Sequence, residues 1–502
     1  MIQESEKMNY TGTRGKYAIS SSEAIARGIA ADGGLFVPES FPALSDSEIK
    51  ALVEMNYCER AKAVLAKYLT DFSASELDDC VKGAYCGTFD DDNPAPLREV
   101  DGKTFLLDLW HGPTCAFKDL ALQLLPHLLT RSAKRTMSDK DIVILVATSG
   151  DTGKAALDGF ADVPGVKIIV FYPENGVSAI QKLQMTTQTG NNVSVCAIKG
   201  NFDDAQTGVK NIFSDPEMIK TLSDNGLVFS SANSINFGRL VPQIIYYVSA
   251  YCDLLKAGKL APGEKFNVAV PTGNFGNILA AVYAKRMGIP VNKFICASNK
   301  NRILTDFIRT GTYDRNREFY LTSSPSMDIL ISSNLERMLY HLYDGNCAEV
   351  AKLMDSLKKE GKYTVSADIL AKLQSEFWGG FCDDEAAEKA ISKLFNEKNM
   401  LCDTHTAVAV DVVEQYRKET GDDTLCVMAS TASAYKFAPA VLPAVFKGEM
   451  PEDGFQIIEK LSEVTNTPIP APLAGLDKRE VLHKNCVEKS QMAEFILKTL
   501  LK

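Results

Sequence analysis

The sequence predicts an α/β fold with two parallel or mostly parallel twisted sheets. Short, almost continuously apolar segments alternate with helical patterns, which is typical of parallel strands buried on both faces. Two of these segments end in glycine-containing loops, and ligands of such sheets bind at the carboxyl ends of strands. The predicted strands are 142–147, 167–172, 193–198, 266–270, 294–297 and 425–428.

Helix signals and chain breakers divide the chain. Ser20 can cap a helix, apolar residues recur at helical spacing over 48–69, and the run Asp-Asp-Asp-Asn-Pro-Ala-Pro at 90–96 ends this first part. We expect a helical N-terminal domain (1–95), a central region (96–455) and a C-terminal segment (456–502) packed on it. Within the central region we expect a smaller sheet subdomain (about 130–235), a larger one (96–129 and 236–455) and a helical insertion (about 302–400).

Composition indicates small-molecule chemistry. Of the 502 residues, 45% are hydrophobic and 24% charged, and the net charge of -10 argues against a nucleic-acid-binding surface. The twelve cysteines are scattered and include no Cys-x-x-Cys pair, so we expect reduced core thiols in a cytoplasmic protein. The sequence shows no signal peptide, membrane span or metal-ligand spacing. No membrane, nucleic-acid or metal site is therefore predicted.

The loop Thr-Ser-Gly-Asp-Thr-Gly at 148–153 follows the first predicted strand and opens a helix. Its hydroxyl and N–H groups favour an anion such as a substrate carboxylate. The alternative is an ordinary strand-to-helix turn in which Ser149 or Asp151 caps the helix.

The loop Thr-Gly-Asn-Phe-Gly-Asn at 272–277 also joins a strand to a helix. Gly273 and Gly276 let the backbone approach a phosphate closely. The loop matches neither a Walker loop nor the dinucleotide fingerprint. A turn that packs the helix on the strand is the alternative.

Lys118 lies in the segment His-Gly-Pro-Thr-Cys-Ala-Phe-Lys-Asp at 111–119, where a helical stretch over 117–130 begins. Most lysines are solvated surface residues, which is the alternative here. Next to Phe117 and an apolar helix face, however, this amine is a candidate for a partly deprotonated lysine that attacks an aldehyde. Together with the two loops, Lys118 suggests a Schiff base with pyridoxal phosphate.

A fourth segment, Ser-Ala-Asn-Ser-Ile-Asn-Phe-Gly-Arg at 231–239, combines amides and hydroxyls with Arg239. This set suits a phosphate carried by a substrate, and the alternative is a polar loop that caps a helix over 240–255. We interpret His111 and His405 as structural. Ser149 is not in a Gly-x-Ser-x-Gly elbow, which disfavours a hydrolase.

These segments, in this order, resemble those of threonine synthases of the longer, bacterial and fungal type, over nearly the whole chain. The resemblance rests on residues 10–14, 32–38, 111–119, 147–153, 231–239 and 271–277. That family belongs to the fold type II pyridoxal-phosphate enzymes, together with tryptophan synthase β, serine and threonine dehydratases and cysteine synthases. It implies a carbon-oxygen lyase that converts O-phospho-L-homoserine and water into L-threonine and phosphate, the last step of threonine biosynthesis.

The resemblance also implies roles for individual residues. Lys118 matches the Schiff-base lysine, which also transfers protons, and Thr431 matches the hydroxyl that faces the pyridine nitrogen. The cofactor-phosphate loop is matched by Gly273, Asn274, Phe275, Gly276 and Asn277. The substrate carboxylate and the cofactor's 3-oxygen are matched by Ser149, Gly150, Asp151 and Thr152. The substrate-phosphate site is matched by Asn233, Ser234 and Arg239.

Two segments depart from the family pattern. The chain has Asp-Thr-His-Thr at 403–406, where relatives tend to have Asp-Pro-His-Thr, and Ser-Thr-Ala-Ser-Ala at 430–434, where they tend to have Ser-Thr-Ala-His-Pro. Neither change removes a matched cofactor contact. With the resemblance we expect a monomer or weak homodimer that acts on a small molecule.

Two other functions stay open at this point. A dehydratase or another β- or γ-replacement enzyme of the same fold would need no substrate phosphate. A binding protein could keep the cofactor without turnover, although Lys118, Arg239 and both loops argue against it. A dinucleotide oxidoreductase is disfavoured because the glycine fingerprint and its ribose-binding acid are missing.

Overall fold

A computed structural model describes residues 7–137 and 140–501 and contains two large sheets. In chain order the strands are β1 (Tyr10–Gly12), β2 (Phe36–Pro38), β3 (Leu97–Asp101), β4 (Thr104–Asp108), β5 (Asp141–Ala147), β6 (Val166–Pro173), β7 (Val193–Lys199), β8 (Leu227–Ser230), β9 (Phe266–Pro271), β10 (Val291–Ser298), β11 (Thr312–Asp314), β12 (Lys362–Thr364), β13 (Phe377–Phe381), β14 (Cys426–Ser430) and β15 (Asn485–Glu488). All six predicted strands are present.

Helices connect these strands and cover both large sheets. In chain order they are α1 (Ser21–Arg27), α2 (Asp46–Glu54), α3 (Tyr57–Tyr68), α4 (Ala74–Tyr85), α5 (Lys118–Leu122), α6 (Leu125–Thr136), α7 (Asp151–Phe160), α8 (Ala179–Thr186), α9 (Phe202–Phe213), α10 (Pro216–Asp224), α11 (Phe237–Lys256), α12 (Gly276–Arg286), α13 (Ile303–Thr310), α14 (Leu335–Leu342), α15 (Cys347–Glu360), α16 (Ala367–Glu376), α17 (Asp384–Lys398), α18 (Thr404–Thr420), α19 (Ala438–Val445), α20 (Gly454–Thr465) and α21 (Met492–Leu500). Single 3-10 turns lie at Pro325–Met327, Ala434–Phe437, Leu476–Lys478 and Lys489–Gln491.

The two sheets are mostly parallel, as predicted. The larger has the order β13-β10-β9-β14-β4-β3, and only the β3–β4 pair is antiparallel. The smaller has the order β15-β7-β6-β5-β8, with every pair parallel. Because parallel strands end at the same edge, the residues that follow β4, β9 and β14 are brought together.

Some elements differ from the sequence-based expectation. The helical pattern over 48–69 is two helices, because Asn56 caps α3 in a capping box with Glu59 and ends the run from α2. Five strands of the two large sheets were not predicted: β3, β4, β8, β13 and β15. Strand β13 contains three aromatic residues that favour strands, but two glycines interrupt them and helical segments flank them; it nevertheless pairs in parallel with β10.

The N-terminal helices are joined to the central region by buried arginines. The guanidinium of Arg60, in α3, contacts the Ser249 hydroxyl at 2.7 Å and the Asp253 carboxylate at 2.6 Å, both in α11. Arg337, in α14, donates to the carbonyl of Phe36 at 2.9 Å and to that of Ile235 at 2.6 Å. Arg337 therefore ties β2 to the segment that leads into Arg239.

Candidate active site

A cleft of about 1500 Å³ lies between the two sheets. It is lined by the ends of β5, β8, β9 and β14, by the start of α5 and by the 3-10 turn at Pro325–Met327. The predicted site residues that line it are Lys118, Ser149, Asp151, Thr152, Asn233, Ser234, Arg239, Gly273, Asn274, Phe275, Gly276, Asn277 and Thr431. Gly150 lies just behind this surface, against the Gln181 side chain.

Lys118 is the first residue of α5 and is buried, with 9% of its surface exposed. Its Nζ lies 3.2 Å from the Ser326 Oγ and 3.5 Å from Oδ2 of Asp151. Burial lowers the pKa of the Lys118 amine, and the positive charges of Lys436 and Arg239 also lower it, whereas the Asp151 carboxylate raises it. Burial and the two neighbouring cations therefore shift the amine toward its neutral form, which is the nucleophilic one.

The loop at 148–153 is shaped by one hydroxyl and one glycine. The Thr148 Oγ1 accepts hydrogen bonds from the N–H groups of Gly150 at 3.0 Å and Gly153 at 2.9 Å. Gly150 has φ +142°, where a side chain would be strained and would collide with Gln181. The loop thereby turns directly into α7, whose N-terminus faces the cleft and favours an anion.

Asp151 is the most heavily contacted side chain in this loop. Its Oδ1 lies 2.8 Å from Nζ of Lys436 and accepts a hydrogen bond from Nε2 of Gln181 at 2.9 Å. Burial alone would raise the pKa of Asp151, but the positive charges of Lys436 and Lys118 lower it below its usual range. Asp151 is therefore a carboxylate that accepts hydrogen bonds and donates none.

The loop at 272–277 fits the phosphate group of a cofactor. Phe275 adopts the left-handed conformation, with φ +63°, immediately before α12. A Cβ on Gly273 would lie 2.7 Å from the Ser326 carbonyl oxygen, so only glycine fits there. The Asn277 Oδ1 accepts a hydrogen bond from the Tyr247 hydroxyl, whereas its Nδ2 is buried without a partner among the residues that the structure describes. A free donor at a helix N-terminus is what a bound phosphate would require.

Thr431 directly follows β14 and is tied to the segment that bears Lys118. Its carbonyl accepts a hydrogen bond from the Phe117 N–H at 2.8 Å, and Ala432 forms an antiparallel bridge with Ala116. Backbone hydrogen bonds therefore join Thr431 and Lys118 in one wall of the cleft.

Arg239 lies in the first turn of α11, with 3% of its surface exposed. Its Nη1 donates to the Ala232 carbonyl at 2.6 Å, and its Nε is buried without a partner within 7–137 and 140–501. Burial lowers the pKa of this guanidinium to about 10, so it is charged at neutral pH. Asn233 and Ser234 line the cleft beside it, and the Ser234 hydroxyl donates to the Asn233 Oδ1 at 3.2 Å. A buried cation with a free donor is suited to an anion.

Several residues of the site were not predicted. Lys436 and Gln181 contact Asp151, and Ser326 contacts Lys118, but each is distant in sequence from the residue that it contacts. Lys436 is fully buried and also donates to the Thr114 carbonyl at 2.8 Å. A lysine in the 3-10 turn Ala434–Phe437 has no sequence signal that separates it from a surface lysine.

The two histidines that were interpreted as structural make different contacts. His111 stacks on Trp110 with ring centroids 4.4 Å apart, and its Nδ1 lies 2.6 Å from the Asp90 carboxylate. His405 lines the cleft, and its Nε2 accepts a hydrogen bond from the Ser326 N–H at 3.2 Å. His405 thus helps to hold the turn that contacts Lys118.

Family models match almost the whole chain. The family described as Pyridoxal-phosphate dependent enzyme matches residues 91–431. Models described as Threonine synthase N terminus and Threonine synthase, C-terminal match residues 9–85 and 406–495. With the two-sheet fold and the lysine in the cleft, these matches define a pyridoxal-phosphate-dependent enzyme, which confirms the predicted cofactor.

Individual relatives narrow the assignment. Threonine synthase from Pseudomonas aeruginosa is 38% identical over 476 residues, which cover 94% of each chain. The structure titled PLP bound threonine synthase from Brucella melitensis superposes with a TM-score of 0.87 at 35% identity, over 97% of this chain and 98% of that one. The chain therefore belongs to the threonine synthase family, and the predicted fold type II architecture is confirmed.

A second group of relatives is longer than this chain. Threonine synthase-like 1 from Homo sapiens is 43% identical over 434 residues, which cover 84% of this chain. The chain spans only 58% of the length of that relative and of its Macaca fascicularis counterpart.

Proposed function

We propose that this protein converts O-phospho-L-homoserine and water into L-threonine and phosphate with pyridoxal phosphate as cofactor. The observation that supports this substrate is the buried Arg239, a charged guanidinium in the same cleft as Lys118 with Nε unpaired among the described residues. A dehydratase substrate without phosphate would leave this buried cation without an anion, which is costly.

The loop at 272–277 would hold the cofactor's phosphate through Gly273, Asn274, Phe275, Gly276 and Asn277. Lys118 would attach the cofactor's aldehyde. Thr431 would face the pyridine nitrogen, and a hydroxyl there does not force protonation of that nitrogen as a carboxylate would. When bound, the cofactor supplies an electron sink for the charge that develops at the substrate's α-carbon.

The two other polar segments would hold the substrate. Ser149, Gly150 and Thr152 offer hydroxyl and N–H donors to the substrate carboxylate at the N-terminus of α7. Asp151 would lie near the cofactor's 3-oxygen. Asn233, Ser234 and Arg239 would bind the substrate's phosphate.

These residues divide the chemistry between them. With the substrate's amine bound to the cofactor in its place, Lys118 would be free to accept the α-proton and to move protons in the steps that let phosphate leave from Cγ. Arg239 stabilises the charge of the departing phosphate. Addition of water at Cβ would complete threonine, and Lys118 would then hold the cofactor again.

We further propose a cytoplasmic monomer or weak homodimer with the domain division 1–95, 96–455 and 456–502. Eight of the twelve cysteines are buried free thiols, which supports a reducing compartment. Among the described residues, none of the helices combines the length and apolar character needed to span a bilayer.

The activity test is the incubation of the purified protein with O-phospho-L-homoserine, with threonine and inorganic phosphate measured together. Equal amounts of both products are expected. Formation of 2-oxobutanoate from threonine, without phosphate release from phosphohomoserine, would instead identify a dehydratase.

A second test addresses the lysine. The parent protein should be yellow because of the absorbance band of the bound cofactor. Borohydride should bleach this band by reducing the bond between the cofactor and the lysine, and digestion should then yield a peptide with the reduced cofactor on Lys118. Lys118→Ala should be colourless. Lys154→Ala is the matched control, since Lys154 lies in α7 and pairs with Asp158 at 3.0 Å, and it should stay yellow. An equally yellow, borohydride-sensitive Lys118→Ala protein would refute the assignment.

A further inference from the structure

The carboxylate of Asp151 lies between two buried lysines. Its Oδ1 is 2.8 Å from Nζ of Lys436, and its Oδ2 is 3.5 Å from Nζ of Lys118. The Lys436 side chain has no exposed surface, and Asp151 has 4%. The shorter contact is to the lysine that has no role in the proposed reaction.

Lys436 is held in place independently of Asp151. Its Nζ donates to the Thr114 carbonyl at 2.8 Å. Thr114 in turn donates from its N–H and its hydroxyl to the Asp119 carboxylate, at 2.8 Å and 2.6 Å. Since Asp119 follows Lys118 in α5, the position of Lys436 is coupled to the start of that helix.

Without Lys436, the ion pairs of Asp151 within the described part of the chain would reduce to the one with Lys118. A carboxylate about 4 Å from a buried amine favours the protonated amine. The charged groups that act on Lys118 are Asp151, Lys436 and Arg239, and Ser326 is its uncharged neighbour. Lys436 also faces Asp119 and the Cys115 thiol, both in the segment that bears Lys118.

We propose that Lys436 is a positioning residue that pairs with the Asp151 carboxylate and so prevents that carboxylate from holding a proton on Lys118. The neutral amine is needed because its lone pair attacks the aldehyde carbon of the cofactor. A C=N bond then replaces the C=O bond, and the oxygen leaves as water. This inference rests on the proposed attachment of the cofactor at Lys118 but not on the identity of the substrate.

The test measures the rate at which pyridoxal phosphate attaches to the full-length enzyme after its own cofactor has been removed, over a series of pH values. Borohydride traps the attached cofactor, and peptide mapping locates it. In the parent enzyme, the rate should rise with pH through one midpoint that reports deprotonation of Lys118.

Four variants separate the effect of the positive charge of Lys436 from that of its hydrogen bonds and packing. Lys436→Gln keeps a donor for Asp151 but removes the charge, and Lys436→Met removes both, so each should move the midpoint upward by about one pH unit or more. Lys436→Arg keeps the charge and should retain the midpoint of the parent. The double variant Asp151→Asn with Lys436→Gln removes both charges and should return the midpoint to that of the parent or below it.

Three results would overturn the inference. The first is a Lys436→Gln midpoint equal to that of the parent, and the second is a double variant whose midpoint stays as high as that of Lys436→Gln. The third is a Lys436→Gln protein too unstable to isolate beside a folded double variant, which would assign Lys436 to folding alone. Failure to label Lys118 in the parent would instead refute the proposed cofactor attachment, so the two failures are distinguishable.

Discussion

The Nε2 of His405 accepts a hydrogen bond from the backbone N–H of Ser326 at 3.2 Å. The proton of the ring is therefore on Nδ1, which lies 2.6 Å from the Asp403 carboxylate. Because the Ser326 Oγ lies 3.2 Å from Nζ of Lys118, the imidazole positions a hydroxyl beside the Lys118 amine through the backbone of the turn.

His405→Ala should lower kcat/KM about tenfold, equivalent to about 1.4 kcal/mol, because the turn with Ser326 loses its buried anchor. Steady-state kinetics measure the effect. His483→Ala is the matched control. His483 lies in the C-terminal segment and contacts the Gln188 carbonyl, so the kinetics of this variant should equal those of the parent. Equal losses in the two variants would contradict a specific role for His405.

Arg239→Gln should lower kcat/KM for O-phospho-L-homoserine about 100-fold, since a charge-assisted hydrogen bond to phosphate contributes about 3 kcal/mol. The visible band of the bound cofactor should persist. Arg27→Gln serves as control, because Arg27 lies at the rim of the same cleft and pairs with Glu23. A loss of the cofactor band with Arg239→Gln would place this arginine at the cofactor instead.

The buried carboxyl of Asp119 should make the free energy of unfolding depend on pH. Burial raises its pKa to about 6, against about 4 in the unfolded chain. The folded state therefore holds a proton that the unfolded state has lost, and stability from this group declines as pH rises from about 4 to 6. The free energy of unfolding of the parent, minus that of Asp119→Asn, should fall by about 2 kcal/mol between pH 4 and pH 6. Denaturant titrations at each pH measure it, and a flat difference would contradict it.

Gly273→Ala should weaken cofactor binding about tenfold, because the new Cβ would lie 2.7 Å from the Ser326 carbonyl and force the loop to move. Titration of the apoenzyme with pyridoxal phosphate measures the dissociation constant. Gly454→Ala adds the same methyl group where nothing lies within 4 Å, and it should bind the cofactor as the parent does. Parent-like affinity in Gly273→Ala would show that the loop yields at little cost.

Local patterns were sufficient for much of the fold. The six apolar segments are strands because their residues are buried on both faces, and this requirement is visible in composition alone. Strand β13 escaped prediction because Gly379 and Gly380 interrupt its aromatic residues and helical segments flank it. It pairs with β10 through backbone hydrogen bonds, which are independent of side-chain pattern.

The site shows the same division. The sequence by itself determined the loops at 148–153 and 272–277, the resemblance that assigns Lys118 and Arg239, and hence the family, because glycine positions and residue order are local properties. Only the tertiary structure decided that Lys436 neutralises Asp151 and that His405 holds Ser326 against Lys118. The residues of the Ser326–His405 contact are 79 positions apart in the chain, and those of the Asp151–Lys436 contact are 285 apart. Whether such distant residues meet depends on how the sheets and helices pack.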